Sequence, residues 1–328
     1  MHSKLLNNRQ TRFFHSSVNN NSSAVNFHAK INNSTEWRSR FWAAALPYLL
    51  ITPTLFFVVI FTLLPLLHVA DSSLFAENQA VQVPKFIGAG NFTALFSDPG
   101  FRDVFVNTVI YVIVTVPISV FLALVLALLL NRKFRAQGLY RLAFFYPTVL
   151  PMVSAATIWL FMYTPDYGLL NVFIEFFHIP SQNWLGEPGL ALIALMILGI
   201  WKQTGYFMVF FLAGLQGLPH DIFESAKLDG ANVLQSTYYI TLPLLMGTTL
   251  FVTTIAVINA FETVDQIYIM TGGGPINSTS MLLFDLWQTL FSYLDIGRAS
   301  AMSVILIVVL LIFTVINFIT TERRATYE

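Results

Sequence analysis

Two clusters of polar residues interrupt apolar stretches of this sequence and are the first candidates for chemistry. They are Lys202, Gln203 and Tyr206, and Asn259, Glu262 and Gln266. Ionisable groups at the depth of a lipid bilayer are costly, so they usually face a polar cavity or one another. The clusters would therefore line a pathway that bonds the hydroxyl groups of a solute, with Trp201 or Phe261 packing against it. A structural ion pair between Lys202 and Glu262 explains the same residues, and both interpretations stay open.

Enzymatic chemistry finds little support in the rest of the sequence. The absence of cysteine excludes disulfides, thiolate metal sites and a cysteine nucleophile. His68 and His178 have no second ligand at metal spacing, and a formal net charge of zero gives no footprint for nucleic acid. The sequence also contains no Gly-Lys-Ser/Thr phosphate loop and no convincing catalytic pair. We therefore predict a non-enzymatic protein with no cofactor, no metal and no nucleic-acid partner.

The elements that carry the polar clusters are predicted to be membrane-spanning helices. Hydrophobic residues make up 56% of the 328 residues and charged residues only 10%, which favours a lipid bilayer as the solvent. A helix needs about 20 apolar residues to cross a bilayer, where backbone amides must bond within their own segment. Six stretches qualify: 44–70, 108–130, 142–163, 189–215, 244–264 and 299–319. The predicted fold is all-α with about six transmembrane helices, kinked at Pro117, Pro147 and Pro151.

Positive charges near the ends of the spans predict which side of the membrane each connection occupies, because cytoplasmic segments retain Lys and Arg. These residues precede the first span and follow the second: Lys30, Arg38, Arg40, Arg132, Lys133, Arg135 and Arg141. Acids predominate in the connections 71–107 and 164–188, which we place outside. Arg323 and Arg324 fit a cytoplasmic C-terminus. The sequence therefore predicts a multi-pass protein with both termini in the cytoplasm.

One connection on the cytoplasmic side, residues 218–243, breaks this rule because it carries the acids Asp221, Glu224 and Asp229. Local physics predicts a short helix there. Asp221 can cap its N-terminus, Glu224 can complete a capping box, and Gly230 suits the left-handed position that ends a helix. A helix of about two turns is marginal in isolation. We therefore expect it to dock on another protein.

The spacing within this segment resembles the EAA loop of binding-protein-dependent ABC importer permeases. That pattern reads Glu-Ala-Ala, three residues, Gly, nine residues, Ile, one residue, Leu-Pro. With Ser in place of the middle Ala, the corresponding positions are Glu224, Ser225, Ala226, Asp229, Gly230, Ala231, Ile240, Leu242 and Pro243. A broader likeness over about residues 42–322, including residues 91–99 and 271–275, is to the carbohydrate-uptake branch of maltose and glycerol-3-phosphate type. Within it, Asp98 and Pro99 are also explained as the N-cap and the first residue of a helix.

The resemblance implies a type I ABC importer permease fold in a bacterial inner membrane. It further implies that the short helix sits in a cleft of an ATP-hydrolysing subunit, that a second, homologous permease completes a heterodimer, and that an extracytoplasmic binding protein delivers a sugar. Glycerol phosphate or another polyol is the alternative cargo, and an ion-coupled secondary transporter is the alternative class. The permease domain would cover residues 41–322, with coupling loop 218–243, between a disordered cytoplasmic tail at 1–40 and a second tail at 323–328.

The loop after the fifth predicted span has two interpretations. Gly272, Gly273, Gly274 and Pro275 would contact the extracytoplasmic binding protein, or they would form an ordinary turn. The following stretch, 281–294, carries apolar residues at helical spacing and predicts an amphipathic helix in the membrane interface.

Overall fold

The computed structural model describes residues 43–78, 83–132 and 134–325, with the side chains of 320–325 excepted. The predicted tail at 1–40, with Lys30, Arg38 and Arg40, lies outside the described residues, as do Lys133 and residues 326–328. The chain divides into two compact units, Met1–His68 and Val69–Glu328. Nearly all regular structure in the described residues is helical, so the predicted all-α class is confirmed.

The described part of the first unit is helical. Helix α1 spans Ala43–Ser72, and its last residues, 69–72, belong to the second unit. A π-helical stretch, Val59–Leu63, lies within α1, where the amide of Leu64 bonds to the carbonyl of Val59. None of the most apolar window of this helix is buried. That exposure suits a helix whose solvent is hydrocarbon.

The second unit begins with a small antiparallel hairpin and continues as helices. In chain order its elements are β1 (Phe75–Ala76), β2 (Lys85–Phe86), α2 (Gly90–Ser97), α3 (Pro99–Leu130), α4 (Gln137–Val149), α5 (Met152–Met162), α6 (Leu169–Phe176), α7 (Pro188–Gln216), α8 (His220–Leu228), α9 (Val233–Ser236), a π-helical stretch (Thr237–Thr241), α10 (Leu242–Leu244), α11 (Met246–Phe261), α12 (Asp265–Met270), α13 (Leu282–Phe291) and α14 (Ile296–Ala325).

The number of spans agrees with the prediction. In the part of the chain that the structure describes, five helical stretches are long and apolar enough to cross a bilayer, with α11 and α12 counted together as Met246–Met270. The pair α4 and α5, bent by 99°, brings the number to six when it is counted as one broken span. The bend falls where Pro151 cannot donate an amide to the preceding turn, which confirms the predicted kink at Pro151, whereas Pro147 lies inside α4. Pro117, by contrast, lies inside the uninterrupted helix α3.

Small residues allow the long helices of the second unit to pack closely. Ala123 and Ala127 of α3 and Ala194 of α7 are fully buried. A side chain at Gly205 of α7 would overlap the backbone carbonyl of Phe144 in α4. Helices in lipid gain little from the hydrophobic effect when they associate, so close approach of this kind holds them together. Among these packed helices, α3, α7 and α11 frame the cavity described below.

Asp98 starts helix α3 and connects it to α14. Its carboxylate accepts a hydrogen bond from the amide of Gly100 at 2.9 Å, and Pro99 occupies the first helical position, as predicted. Arg298 of α14 forms an ion pair with the same carboxylate. The hydrogen bond from Arg298 lowers the pKa of Asp98 below its usual value, so the carboxylate is stabilised in its charged form.

The interfacial helix predicted over 281–294 is instead covered by protein, so this prediction was wrong. Helix α13 packs against α14 and α3, and the exposed fractions of Met281, Leu282 and Phe284 are 1%, 0% and 2%. The amide of Leu282 also donates to Thr108 Oγ1 at 2.8 Å. An amphipathic pattern indicates that one face of a helix is covered, but lipid and protein can both cover it.

Candidate functional site

Residues 218–243 contain the short helix α8, which begins at His220, one residue before the predicted cap. Pro219 occupies the N-cap position of α8, and no side chain caps the helix there. The predicted cap at Asp221 and capping box at Glu224 were therefore wrong. Asp221 lies in the first turn of α8, where its carboxylate is favourably placed near the positive end of the helix dipole.

A rigid turn ends α8. The amide of Ala231 donates to the carbonyl of Ala226 at 2.9 Å, and the amide of Gly230 donates to that of Lys227 at 3.1 Å. This pair of bonds is a Schellman motif, and Gly230 adopts the left-handed φ of +81° that the motif requires, as predicted. Asn232 then caps α9 in a reciprocal capping box with Gln235, whose bonds measure 2.8 and 2.9 Å.

The segment presents an exposed surface with a strong apolar component. The exposed fractions of Leu228, Leu234 and Tyr239 are 89%, 80% and 72%. Among the residues matched to the EAA pattern, those exposed are Glu224, Ser225, Asp229, Gly230 and Pro243. Several large apolar side chains exposed within one short segment are typical of a surface that a partner covers.

The remaining matched residues face this chain rather than the outside. Ala226 is 9% exposed and, with Ala231, lines a cavity of about 380 Å³ beneath α8. Ile240 and Leu242 are half-buried. Small residues at 226 and 231 therefore permit α8 to lie close to its own chain, whereas positions 225 and 230 are available to a partner.

A polar cavity of about 320 Å³ lies between α3, α7 and the end of α11. Five of the six predicted pathway residues line it, namely Lys202, Gln203, Asn259, Glu262 and Gln266. Tyr206 is not among the lining residues, and its ring packs instead on Phe207 and Phe210. A volume of this size falls within the range of sites for small molecules.

Gln266 is held in the wall of the cavity by a bond across the helix core. Its Nε2 donates to the hydroxyl of Tyr111 at 2.8 Å, and the residue is fully buried. Gly199 leaves room for this bond, because a Cβ there would overlap the Tyr111 hydroxyl. The Oε1 of Gln266 has no hydrogen-bond partner among the described residues. A buried acceptor of this kind is expected to find a donor, which a solute hydroxyl or water can supply.

Lys202 bonds to the broken span and not to Glu262. Its Nζ donates to the carbonyl of Pro147 at 3.1 Å and also to the carbonyl of Leu150. These carbonyls are left without helical partners because the chain breaks at Pro151. The predicted ion pair with Glu262 is absent from these two residues, although both line the cavity. Lys202 does bond to a partner at membrane depth, but that partner is a pair of backbone carbonyls and not the carboxylate of Glu262.

A second helix interruption borders the same cavity. Helix α11 ends at Phe261 and α12 begins at Asp265, and the intervening Glu262, Thr263 and Val264 line the cavity wall. Non-helical backbone at membrane depth is tolerated where it is buried in protein or lines a polar cavity. Both interruptions therefore bring polar backbone and side chains to one place.

Comparison with known proteins identifies the family. The family described as "Binding-protein-dependent transport system inner membrane component" matches residues 87–323. The chain belongs to this family.

Relatives of this permease are named for different solutes. It is 33% identical to the sn-glycerol-3-phosphate transport system permease protein UgpA of Agrobacterium fabrum over 86% of this chain and 96% of that protein. It is also 33% identical to the trehalose/maltose transport system permease protein MalF of Thermococcus litoralis, over 83% of this chain and 92% of that protein. The chain is thus a transmembrane permease subunit of an ABC importer.

The fold of the permease is also that of a solved importer. A chain from a bacterial alginate ABC transporter, in complex with an alginate pentasaccharide-bound periplasmic protein, superposes with a TM-score of 0.76 at 19% identity. The match covers 88% of this chain and 99% of that chain. The predicted type I importer permease fold is thereby confirmed.

Sequence reasoning missed the contribution of α3 to the permease cavity. Tyr111, Thr115 and Ser119 line it, and their spacing of four residues places them on one face of α3. This polar stripe within an apolar span is a signal that the sequence offered. The prediction that Trp201 or Phe261 packs against the solute was wrong, since neither residue lines the cavity. The aromatic residues that line it are Tyr111 and Phe207.

The glycine loop of the permease is an ordered turn held from several sides. Thr279 Oγ1 donates to the carbonyl of Gly274 at 2.6 Å, and Asn107 Nδ2 donates to the carbonyl of Asn277 at 3.0 Å. Gly272 is exposed, Gly273 is buried, and Gly274 and Pro275 are half-buried. The most exposed side chain of the loop is that of Ile276, at 91%. Any contact with a partner would therefore involve Gly272 and Ile276 more than the other glycines.

Proposed function

We propose that this permease subunit passes a sugar through the cavity between α3, α7 and α11 and is driven by ATP hydrolysis on a partner subunit that grips α8. An extracytoplasmic binding protein delivers the sugar, and a second, homologous permease supplies the other half of the pathway. Both termini lie in the cytoplasm. The observation that carries the proposal is the exposed helix α8, locked by the Schellman turn at Gly230.

The exposed face of the coupling segment favours a protein partner over water. The exposed residues of this segment include the acids Glu224 and Asp229 and the large apolar side chains of Leu228 and Leu234. A nine-residue helix gains little stability by itself, so the Schellman turn and the capping box that follow it preset its shape. A preset helix loses less entropy on docking and transmits displacement without bending.

The polar lining of the cavity favours a neutral, hydroxyl-rich solute. Side chains of Gln203, Asn259 and Gln266 offer amide donors and acceptors, as a sugar requires. Glycerol phosphate is the alternative, since several relatives are named for its transport. Lys202, a cation that lines the cavity, is already bonded to two carbonyls, and the acid Glu262 lines the same cavity. That charge distribution is poorly suited to a dianion.

The coupling proposal is tested with two bulky substitutions on the exposed face of α8. Ser225→Trp adds bulk at an exposed helical position without backbone strain, whereas Gly230→Leu adds bulk at a left-handed φ. In vesicles containing the complete transporter, we expect solute-stimulated ATP hydrolysis and uptake to fall at least tenfold in both variants, because the partner can no longer approach the helix.

Gly189→Leu is the matched control, because an added Cβ meets nothing within 4 Å at Gly189 or at Gly230. Gly189 lies at the opposite end of α7 from the coupling segment. Normal coupling in Ser225→Trp would contradict docking on this face. Uptake by vesicles that hold an ion gradient but no ATP would instead support a secondary transporter.

A further inference from the structure

Helix α6, in the connection between α5 and α7, presents an uncovered apolar face. Leu169, Val172, Phe173 and Phe176 follow the i, i+3, i+4, i+7 spacing of one helix face. Their exposed fractions are 60%, 57%, 62% and 79%. A contiguous exposed patch of large apolar side chains marks contact with a membrane or a protein.

The other face of α6 is fastened by one buried side chain. Asn171 is 1% exposed, and its Nδ2 donates to the carbonyls of Pro165 and Gln182 at 2.8 and 2.9 Å, and to that of Thr164 at 3.3 Å. Its Oδ1 accepts from the amide of Gln182 and from Trp184 Nε1, at 3.1 and 2.9 Å. This network ties the chain on both sides of α6 to a single residue. These bonds therefore fix the orientation of α6 so that its apolar face points away from the rest of the protein.

The uncovered face continues the apolar surface of a membrane span. Phe161, 57% exposed on α5, contacts the ring of Tyr167 just before α6, with centroids 5.8 Å apart. Beyond it, Phe173 and Phe177 are in ring contact at 5.3 Å. Helix α5 belongs to the bent pair of helices that is apolar enough to cross a bilayer, so its exposed apolar side chains form a surface suited to acyl chains. Aromatic residues thus continue from the exposed surface of α5 onto α6. Aromatic residues at the end of a membrane span are typical of the membrane interface.

We propose that α6 lies in the headgroup region of the bilayer with Phe173 and Phe176 inserted among the acyl chains. The occupant of the apolar face is thus a lipid surface, on the side of the membrane opposite the coupling segment. Glu175 fits this placement, since it is exposed and lies off the apolar stripe, where it can reach water. The helix then anchors the ends of α5 and α7 at a fixed depth. This role is separate from the proposed coupling to ATP.

The test uses the natural absence of cysteine, which makes single-cysteine variants directly available. Nitroxide labels are placed at Phe173→Cys and Phe176→Cys, with Glu175→Cys as the control on the same helix. The complete transporter is reconstituted in vesicles of phosphatidylethanolamine and phosphatidylglycerol. Power saturation then compares collisions of each label with oxygen, which concentrates in lipid, and with a nickel chelate, which stays in water.

We expect oxygen accessibility to exceed nickel accessibility severalfold at 173 and 176, and the order to reverse at 175. Labels at 173 and 176 that favour nickel would overturn the proposal and make this face aqueous. Labels that neither reagent reaches would assign the face to the second permease, and labels shielded only after binding protein is added would assign it to that protein. Leu169→Cys and Val172→Cys replace any variant that does not elute as a folded complex. The readout does not depend on ATP, so a failure of the coupling proposal would leave it intact.

Discussion

The coupling segment and the cavity are both built around interrupted helices, yet their parts come together in different ways. In the coupling segment, the turn at Gly230 and the cap at Asn232 each form between residues at most five positions apart. In the cavity, Gln266 bonds to Tyr111 across 155 positions, and Lys202 bonds to Leu150 across 52. The first site is thus a local structure that a partner uses, whereas the second exists only once the helices have packed.

This difference predicts opposite consequences of mutation. Loss of a local turn in an exposed segment should impair coupling while the membrane fold survives. Loss of a bond across the cavity should destabilise the packing of α3, α4 and α7, because polar groups left unpaired at membrane depth find no water. Substitutions in the two regions therefore test whether the coupling segment and the membrane fold are energetically separate.

The largest effect is expected for Lys202→Met, which removes the donor to the carbonyls of Pro147 and Leu150. Each hydrogen bond from a charged group contributes about 1.5–3 kcal/mol. We expect a loss of about 3 kcal/mol for the two bonds together, seen as a lower midpoint of thermal unfolding of the purified permease. Transport should fall as well, because the broken span borders the cavity.

Lys227→Met provides the matched comparison, since Lys227 is an exposed lysine on α8. Its unfolding midpoint should stay close to that of the natural protein. Equal midpoints for Lys202→Met and Lys227→Met would show that Lys202 does not support the break. In that case its ammonium would be free for a solute, and a changed KM for uptake would be the signature.

A smaller effect is expected for Gly199→Ala, whose new methyl group would overlap the hydroxyl of Tyr111. Relief requires Tyr111 to move and to give up its bond to Gln266, at a cost of about 1–3 kcal/mol. Uptake should fall because the cavity wall is displaced. Thermal unfolding and uptake of the single variant measure both consequences.

Tyr111→Phe supplies the control for Gly199→Ala, because it removes the hydroxyl that the new methyl group would meet. In a double-mutant cycle, Gly199→Ala should cost less in the Tyr111→Phe background than in the natural chain. Additive effects of the two substitutions would contradict a direct contact between them.

The sequence predicted the parts whose causes are local. Six apolar stretches indicated the spans, Asp98 and Pro99 indicated the start of α3, and Gly230 indicated the end of α8. Each of these depends on residues within a few positions of one another. Even so, the cap at Asp221 was wrong, because Pro219 supplies an extended backbone that allows the helix to begin earlier.

Features decided by tertiary packing were predicted less well. Lys202 was expected to need a hydrogen-bond partner. An acid and a pair of backbone carbonyls can both bond to an ammonium group, and the sequence does not distinguish between them. The same ambiguity applied to α13, where a protein surface and a lipid surface require the same apolar stripe. Helix α6 lies in the connection 164–188, for which a side of the membrane but no helix was predicted, and its exposed stripe is only eight residues long.

The smallest effect is expected for Asn232→Ala in the coupling segment, which removes the capping box shared with Gln235. A lost N-cap costs about 1 kcal/mol. Because α9 is exposed and only four residues long, this cost should appear as fraying of α9 and not as unfolding of the spans. Solute-stimulated ATP hydrolysis should fall a few-fold, with an unchanged thermal midpoint. Asn232→Asp is the control, because its carboxylate still caps the helix and should retain most of the coupling. A lower midpoint in Asn232→Ala would mean that the coupling segment supports the membrane fold, and the two regions would then not be energetically separate.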